Sequence, residues 1–173
     1  MFNARVRWLG ALLLVVLSLP SPAAAQKAVF VVRHAERADG GAASMTASTD
    51  PLLSAAGEAR AARLAAMLGD AGVTVLYATE YQRTNQTVDP LARRLGLTVQ
   101  QVPARDTAGL VARIRDSRPD DVVVVAGHSN TVPAILDALG ATQTVTIEDD
   151  EYDALFVVAP RAGAPPTVIR LRY

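Results

Sequence analysis

Two stretches of this chain are unbroken runs of apolar, largely β-branched residues that stop at a polar turn. Val29-Phe30-Val31-Val32 gives way to Arg33-His34-Ala35-Glu36, and Val122-Val123-Val124-Val125-Ala126 gives way to Gly127-His128-Ser129-Asn130. Runs of that kind, bounded by glycine or charge, read as buried strands. Between them the pattern changes period. After Ser54, a candidate N-cap, Ala61, Leu64, Ala65 and Leu68 recur at helical spacing until Ala71-Gly72. Val73 to Tyr77 reads as a strand, and Thr79 to Leu95 as a turn and a helix interrupted at Asp89-Pro90. Leu97 to Val102 makes a weaker strand, and Thr107 to Ser117 an amphipathic helix studded with arginine. A short helix from about Thr131 to Leu139 follows the second run and ends at Gly140. The strands Leu155–Val158 and Thr167–Tyr173 then form an antiparallel pair across the turn Pro160 to Pro166.

Strand-helix alternation closed by a hairpin predicts a single-domain, three-layer α/β/α fold. Its sheet is mixed but mostly parallel, with the antiparallel pair at the C-terminal end. Ala38 to Pro51 is small, polar and glycine-rich, a long loop that leaves the end of the first strand. No internal repeat and no boundary within residues 26–173 is visible.

Residues 1–25 have a different character. Arg5 and Arg7 precede the apolar stretch Trp8–Leu19, Pro20-Ser21-Pro22 break it, and Ala23-Ala24-Ala25 stand before Gln26. That is the layout of a secretory signal peptide cleaved after Ala25, and its apolar core is short for a bilayer span. The expectation is a periplasmic or secreted protein with no stable membrane span after cleavage. The remaining 148 residues carry 15 basic and 17 acidic side chains, a formal charge of −2. This argues against a nucleic-acid surface. Cysteine is absent, which excludes disulfides, thiol catalysis and cysteine metal sites.

The chain has only two histidines, 94 positions apart, and both lie just past the carboxyl end of a buried strand. In open α/β sheets that rim is where ligands bind. Either histidine alone reads as an ordinary loop residue. Two matched placements beside an arginine read as a pocket, provided the strands are parallel neighbours. A neutral imidazole is a nucleophile toward phosphorus, and arginine offers planar donors to phosphoryl oxygens. Arg83, following the strand that ends at Tyr77, is a third candidate cation at the same rim.

These residues resemble the histidine phosphatase superfamily, the phosphoglycerate mutase-like proteins. Arg33-His34-Ala35-Glu36 is similar to its Arg-His-Gly motif, and Leu53-Ser54-Ala55-Ala56-Gly57-Glu58-Ala59 to its Leu-Ser/Thr-x-x-Gly-x-x-Ala segment. Tyr77 to Thr87, through Arg83, resembles its Ser-x-x-x-Arg-x-x-x-Thr segment, and Gly127-His128-Ser129 its second-histidine motif. The resemblance implies a phosphatase with His34 as the phosphorylated nucleophile and Arg33, Arg83 and His128 holding the phosphoryl group. It implies a small phosphorylated substrate, no metal and no other cofactor. Two departures stand out: Ala35 replaces the usual glycine, and no glutamate follows the third strand, where Gln100 to Asp106 lie. Two carboxylates are then candidate acids or orienting groups, Asp106 as donor and Glu36 as orienting residue. Asp106 reads equally well as a helix N-cap.

Other readings remain open at this point. A phosphomutase lacks support, since the mutase acid and large insertions are missing. A phospho-ligand-binding module without turnover is a second alternative. A metal hydrolase is disfavoured by arginines beside the candidate ligands. Glu148 to Asp153 reads as solvated turn charge, Arg105, Arg113, Arg115 and Arg118 as a solvated helix face, and Arg37 as ambiguous.

Overall fold

A computed structural model describes residues 26–40 and 49–173. The expected signal peptide, and the loop centre at 41–48, lie outside the described residues. The elements run β1 (Ala28–Arg33), α1 (Ala55–Leu68), β2 (Val75–Ala78), α2 (Gln82–Leu95), β3 (Val99–Gln101), α3 (Thr107–Arg115), β4 (Val122–Gly127), α4 (Thr131–Ala138), β5 (Ala154–Arg161) and β6 (Ala164–Arg172). One six-stranded sheet has the order β3-β2-β4-β1-β5-β6, with β1 to β4 parallel and β5 and β6 antiparallel. The three-layer mixed fold expected from the sequence is the fold observed.

Strand β4 is buried along its whole length because helices cover both faces of the sheet. On one face Leu64 and Leu68 of α1 and Val88 and Leu91 of α2 pack on Val32, Leu76, Val122 and Val124. On the other, Leu110 and Ile114 of α3 and Val132, Ile135 and Leu136 of α4 pack on Val29, Val31, Val123 and Val125. Among the described residues no helix is long and apolar enough to cross a membrane.

Helix α1 begins as its sequence predicts, with the Ser54 hydroxyl accepting from Gly57 N at 3.1 Å. Gly57 is required by packing: a Cβ there would overlap the Glu36 carbonyl, which α1 approaches directly behind the first strand end. The arms of the long loop are tied together at its base. Ala38 N donates to Leu52 O, and Ser54 N to Glu36 O, both at 2.9 Å.

Two expectations need correction. Helix α2 is not interrupted at Asp89-Pro90 but runs through Pro90 to Leu95. An interior proline costs roughly 3 kcal/mol, and burial of Val88, Leu91 and Ala92 on either side of it offsets that strain. The hairpin is also tighter than expected. Strands β5 and β6 close on Ala162-Gly163, with Gly163 at φ +66°, and Pro160, Pro165 and Pro166 lie inside the strands. Strand β6 is an edge, where proline is tolerated, and β5 carries a register shift between Ala159 and Arg161.

Candidate active site

The sheet register builds the site. Arg33 pairs with Gly127, Ala78 with Ala126, and Gln101 with Ala78, so four parallel strands end level with one another. β5 runs the other way, so the turn before its first residue reaches the same rim. Above that rim lies a cleft of about 630 Å³. His34, Arg33, Arg83 and His128 all line it, together with Arg37, Tyr81, Arg105, Asp149, Asp150 and Tyr152. The two imidazoles, from neighbouring strands, have ring centroids 5.3 Å apart.

Each histidine is fixed by its partners. His34 N donates to Gly127 O at 2.8 Å, and its Nδ1 lies 2.8 Å from Ala35 O. A carbonyl only accepts, so Nδ1 carries the proton and Nε2 keeps its lone pair. Burial, offset in part by that carbonyl and reinforced by His128, Arg83 and Arg33, lowers the His34 pKa to about 3. The ring is therefore neutral at ordinary pH. Ala35 N donates to Thr87 Oγ1 at 3.0 Å, and Thr87 in turn donates to Arg83 O at 2.7 Å. Ala35, at the glycine position of the motif, is buried and has no positive φ.

His128 has the opposite polarity. Thr84 Oγ1 donates to Tyr81 O at 2.7 Å, which leaves it accepting from Thr79 Oγ1 at 2.8 Å. Thr79 then accepts from His128 Nε2 at 2.9 Å. The relay puts the proton of His128 on Nε2 and leaves Nδ1 as an acceptor, 3.4 Å from Arg83 Nη2. Burial, aided by Arg83, lowers the His128 pKa to about 4.

The two cations nearest the histidines are held differently. Arg83 pairs with Asp50 at 3.4 Å and lies with Cζ 4.3 Å from the Tyr81 ring centroid. Asp50 also accepts from Gln82 N at 2.9 Å, capping α2 from outside the helix. Burial and the charge of Arg37 push the Arg83 pKa down. Arg33 has no carboxylate partner among the described residues. Its Nη1 donates to the carbonyls of Glu148, Asp149 and Glu151 at 2.9 to 3.0 Å, and its Cζ lies 4.1 Å from the Tyr152 ring centroid.

Neither carboxylate singled out from the sequence lines the cleft. Asp106 caps α3, accepting from Gly109 N at 2.9 Å, so its N-cap reading is the one the geometry matches. Glu36 is turned to α1, where Arg60 holds both its oxygens at 2.6 to 2.9 Å; it orients neither Arg33 nor Arg83. Burial pushes the Glu36 carboxyl up, and the Arg60 hydrogen bonds outweigh it, leaving it below its ordinary value. Two bland readings change as well. Arg105 lines the cleft, and the Glu148–Asp153 turn, exposed at Glu148 to Asp150, forms its β5-side wall. Arg37 also lines the cleft and pairs with Asp39 at 2.5 Å. Thr79, Thr84, Tyr81 and Tyr152 were not singled out by sequence reasoning. Among the described residues no group of three or more His, Asp or Glu is arranged to hold a metal ion.

Comparison with known proteins bears on the family and the fold. The family model of the histidine phosphatase superfamily, branch 1, matches residues 29–106. The fold is similar to that of an Escherichia coli protein assigned as an alpha-ribazole-5'-phosphate phosphatase, with 12% identity, 86% of this chain and 97% of that one covered, and a TM-score of 0.70. It is similar to a mycobacterial glucosyl-3-phosphoglycerate phosphatase, with 15% identity, 85% and 98% coverage and a TM-score of 0.65. It is also similar to an Agrobacterium tumefaciens protein assigned as the phosphohistidine phosphatase SixA, with 20% identity, 85% and 99% coverage and a TM-score of 0.62. No curated protein matches the chain in sequence. The family match spans 78 of the 173 residues and takes in the first three of the four motifs, and the fold is similar to that of these three proteins.

Proposed function

We propose that the chain is a phosphomonoester phosphatase that works without metal through a covalent phosphohistidine on His34. The observation that carries this reading is the fixed tautomer of His34, buried and neutral, with Nε2 bare at the rim and its Nδ1 proton on Ala35 O. In the first step the Nε2 lone pair forms the N–P bond and the ester P–O bond breaks, with the leaving oxygen taking a proton. In the second, water attacks phosphorus, the N–P bond breaks and His34 returns neutral. Arg33 and Arg83 stabilise the equatorial oxygens, and His128 joins them once it takes a proton on Nδ1.

The leaving-group proton has two candidate donors. Residues 1–25 and 41–48 contain no Asp or Glu, so the described residues include every carboxylate side chain. Of these, Asp149 and Asp150 line the cleft. Both lie on the β5 side of the cleft, opposite the β3–α3 turn that carries Asp106. In this reading one of them protonates the leaving oxygen and later takes the proton of the attacking water.

Turnover of nitrophenyl phosphate in excess chelator tests the reading. Undiminished release of inorganic phosphate is the expected result; phosphate binding without any turnover would favour a ligand-binding module instead. The same reading places the protein outside the cytoplasm, after cleavage at Ala25. Mass spectrometry of the native protein should find Gln26, or its cyclised form, at the N-terminus, and an intact Met1 species confined to the cytoplasm would overturn that placement.

A further inference from the structure

The turn before β5 does more than border the cleft. Arg33 is only 6% exposed, and the segment Glu148–Tyr152 holds it from two directions. Three carbonyls converge on Nη1, which has two protons to give, so at least one bond is shared. The Tyr152 ring lies against the guanidinium with Cζ 4.1 Å from its centroid, and it also stands 6.1 Å from the His34 ring. Nε is buried without a hydrogen-bond partner among the described residues.

The chemistry of these partners is informative. A carboxylate would fix a guanidinium equally well but would cancel its charge. Carbonyl dipoles and a ring face carry no net charge, so Arg33 keeps its full charge for the cleft. Stacking uses the face of the guanidinium and leaves in-plane N–H donors for a phosphoryl group. Arg83 has the same aromatic support from Tyr81 but shares its charge with Asp50.

We propose that Tyr152 is a positioning residue of the phosphoryl pocket, acting through Arg33: its ring and the carbonyls of the 148–151 turn hold the guanidinium so that its free edge meets the phosphoryl oxygens. The role belongs to the ring and not to the phenol. It rests on the reading of the cleft as a phosphoryl site.

The test is a double-mutant cycle on the purified chain, read as affinity for inorganic phosphate and orthovanadate and as kcat/KM on an aryl and an alkyl phosphate. Tyr152→Phe should stay within about twofold of the parent, because the stacking face is kept. Tyr152→Leu should weaken phosphate binding by roughly 3- to 30-fold and lower kcat/KM by the same factor for both esters. In an Arg33→Gln background, Tyr152→Leu should add nothing further, since the group it positions is gone. A residue that merely stabilised the fold would give the same loss in both backgrounds and no shared dependence on Arg33. That additive result overturns the proposal, as does a harmless Tyr152→Leu, or a Tyr152→Phe as damaged as Tyr152→Leu. Should the leucine variant fail to fold, Tyr152→Trp against Tyr152→Met makes the same comparison. A parent protein that binds neither phosphate nor vanadate overturns the reading of the cleft itself; binding without coupling overturns only the role of Tyr152.

Discussion

His34 and His128 look alike in sequence and end up unlike in chemistry. Both follow buried parallel strands, both are nearly inaccessible, and both are held neutral by burial. Yet one gives its Nδ1 proton to a carbonyl and leaves Nε2 free, while the other gives its Nε2 proton to Thr79 and leaves Nδ1 facing Arg83. The backbone places an imidazole; the partner of its second nitrogen decides what that imidazole can do. In the proposed reaction His34 attacks as it stands. His128 must first acquire a proton before it can donate to phosphoryl oxygen.

The largest expected effect follows from that difference. His34→Ala should lose at least about 1,000-fold in kcat, because no other nucleophile replaces the imidazole. Single-turnover kinetics on nitrophenyl phosphate would read it. His128→Ala should cost roughly 100- to 1,000-fold, the usual loss for one donor to developing charge, and it should leave the ability to form the intermediate. Equal and complete loss in both variants would erase the distinction between the two rings.

A smaller and more selective effect is expected at the acid. Removing the proton donor matters most when the leaving oxygen is basic. Asp149→Asn or Asp150→Asn should therefore slow an alkyl phosphate by about 100-fold while sparing nitrophenyl phosphate. Uniform slowing of both esters, or of neither, by each variant would remove the pair from the role. Thr79→Val leaves the His128 Nε2 proton without its acceptor and should cost about fivefold in kcat/KM, the value of one hydrogen bond, provided a thermal melt shows the fold intact.

The smallest effect is a shift that should not occur. The free-protein imidazoles titrate at about 3 and about 4, so neither changes charge between pH 5 and 8. Acidification should remove activity only as pH falls toward about 3, when His34 takes a proton and the nucleophile is lost; protonation of His128 near 4 leaves it able to donate to the phosphoryl group. Any inflection near pH 6 should follow the second ionisation of the ester, and so should move when the ester is changed. An inflection near 6.5 that stays put across substrates would show that the histidines are not buried as described.

Much of this site was legible in the sequence, because β-branched runs mark buried strands and the rim follows from their ends. Arg33, His34, Arg83 and His128 came together for that reason. What escaped was everything set by contacts between distant segments. Thr79 is 49 positions from His128, and nothing in its local pattern marks it as the acceptor that fixes a tautomer. The Glu148–Tyr152 turn read as solvated charge because its side chains are polar, whereas its work is done by carbonyls and one ring. Placing β5 beside β1 would have revealed it, since an antiparallel neighbour begins at the rim where β1 ends. Asp106 misled for a related reason: its place in the chain suggested the site, and the Gly109 amide claimed its carboxylate.

The central claim is that phosphorus is transferred to Nε2 of His34, and the most direct measurement is to locate it. After rapid quench of the purified chain with a phosphomonoester, peptide mapping and 31P–15N correlation should find one acid-labile phosphoryl group, on residue 34 and on Nε2. His128→Ala should carry the same label and His34→Ala none. A phosphoryl group on His128, on Nδ1 of His34 or on a serine would contradict the account.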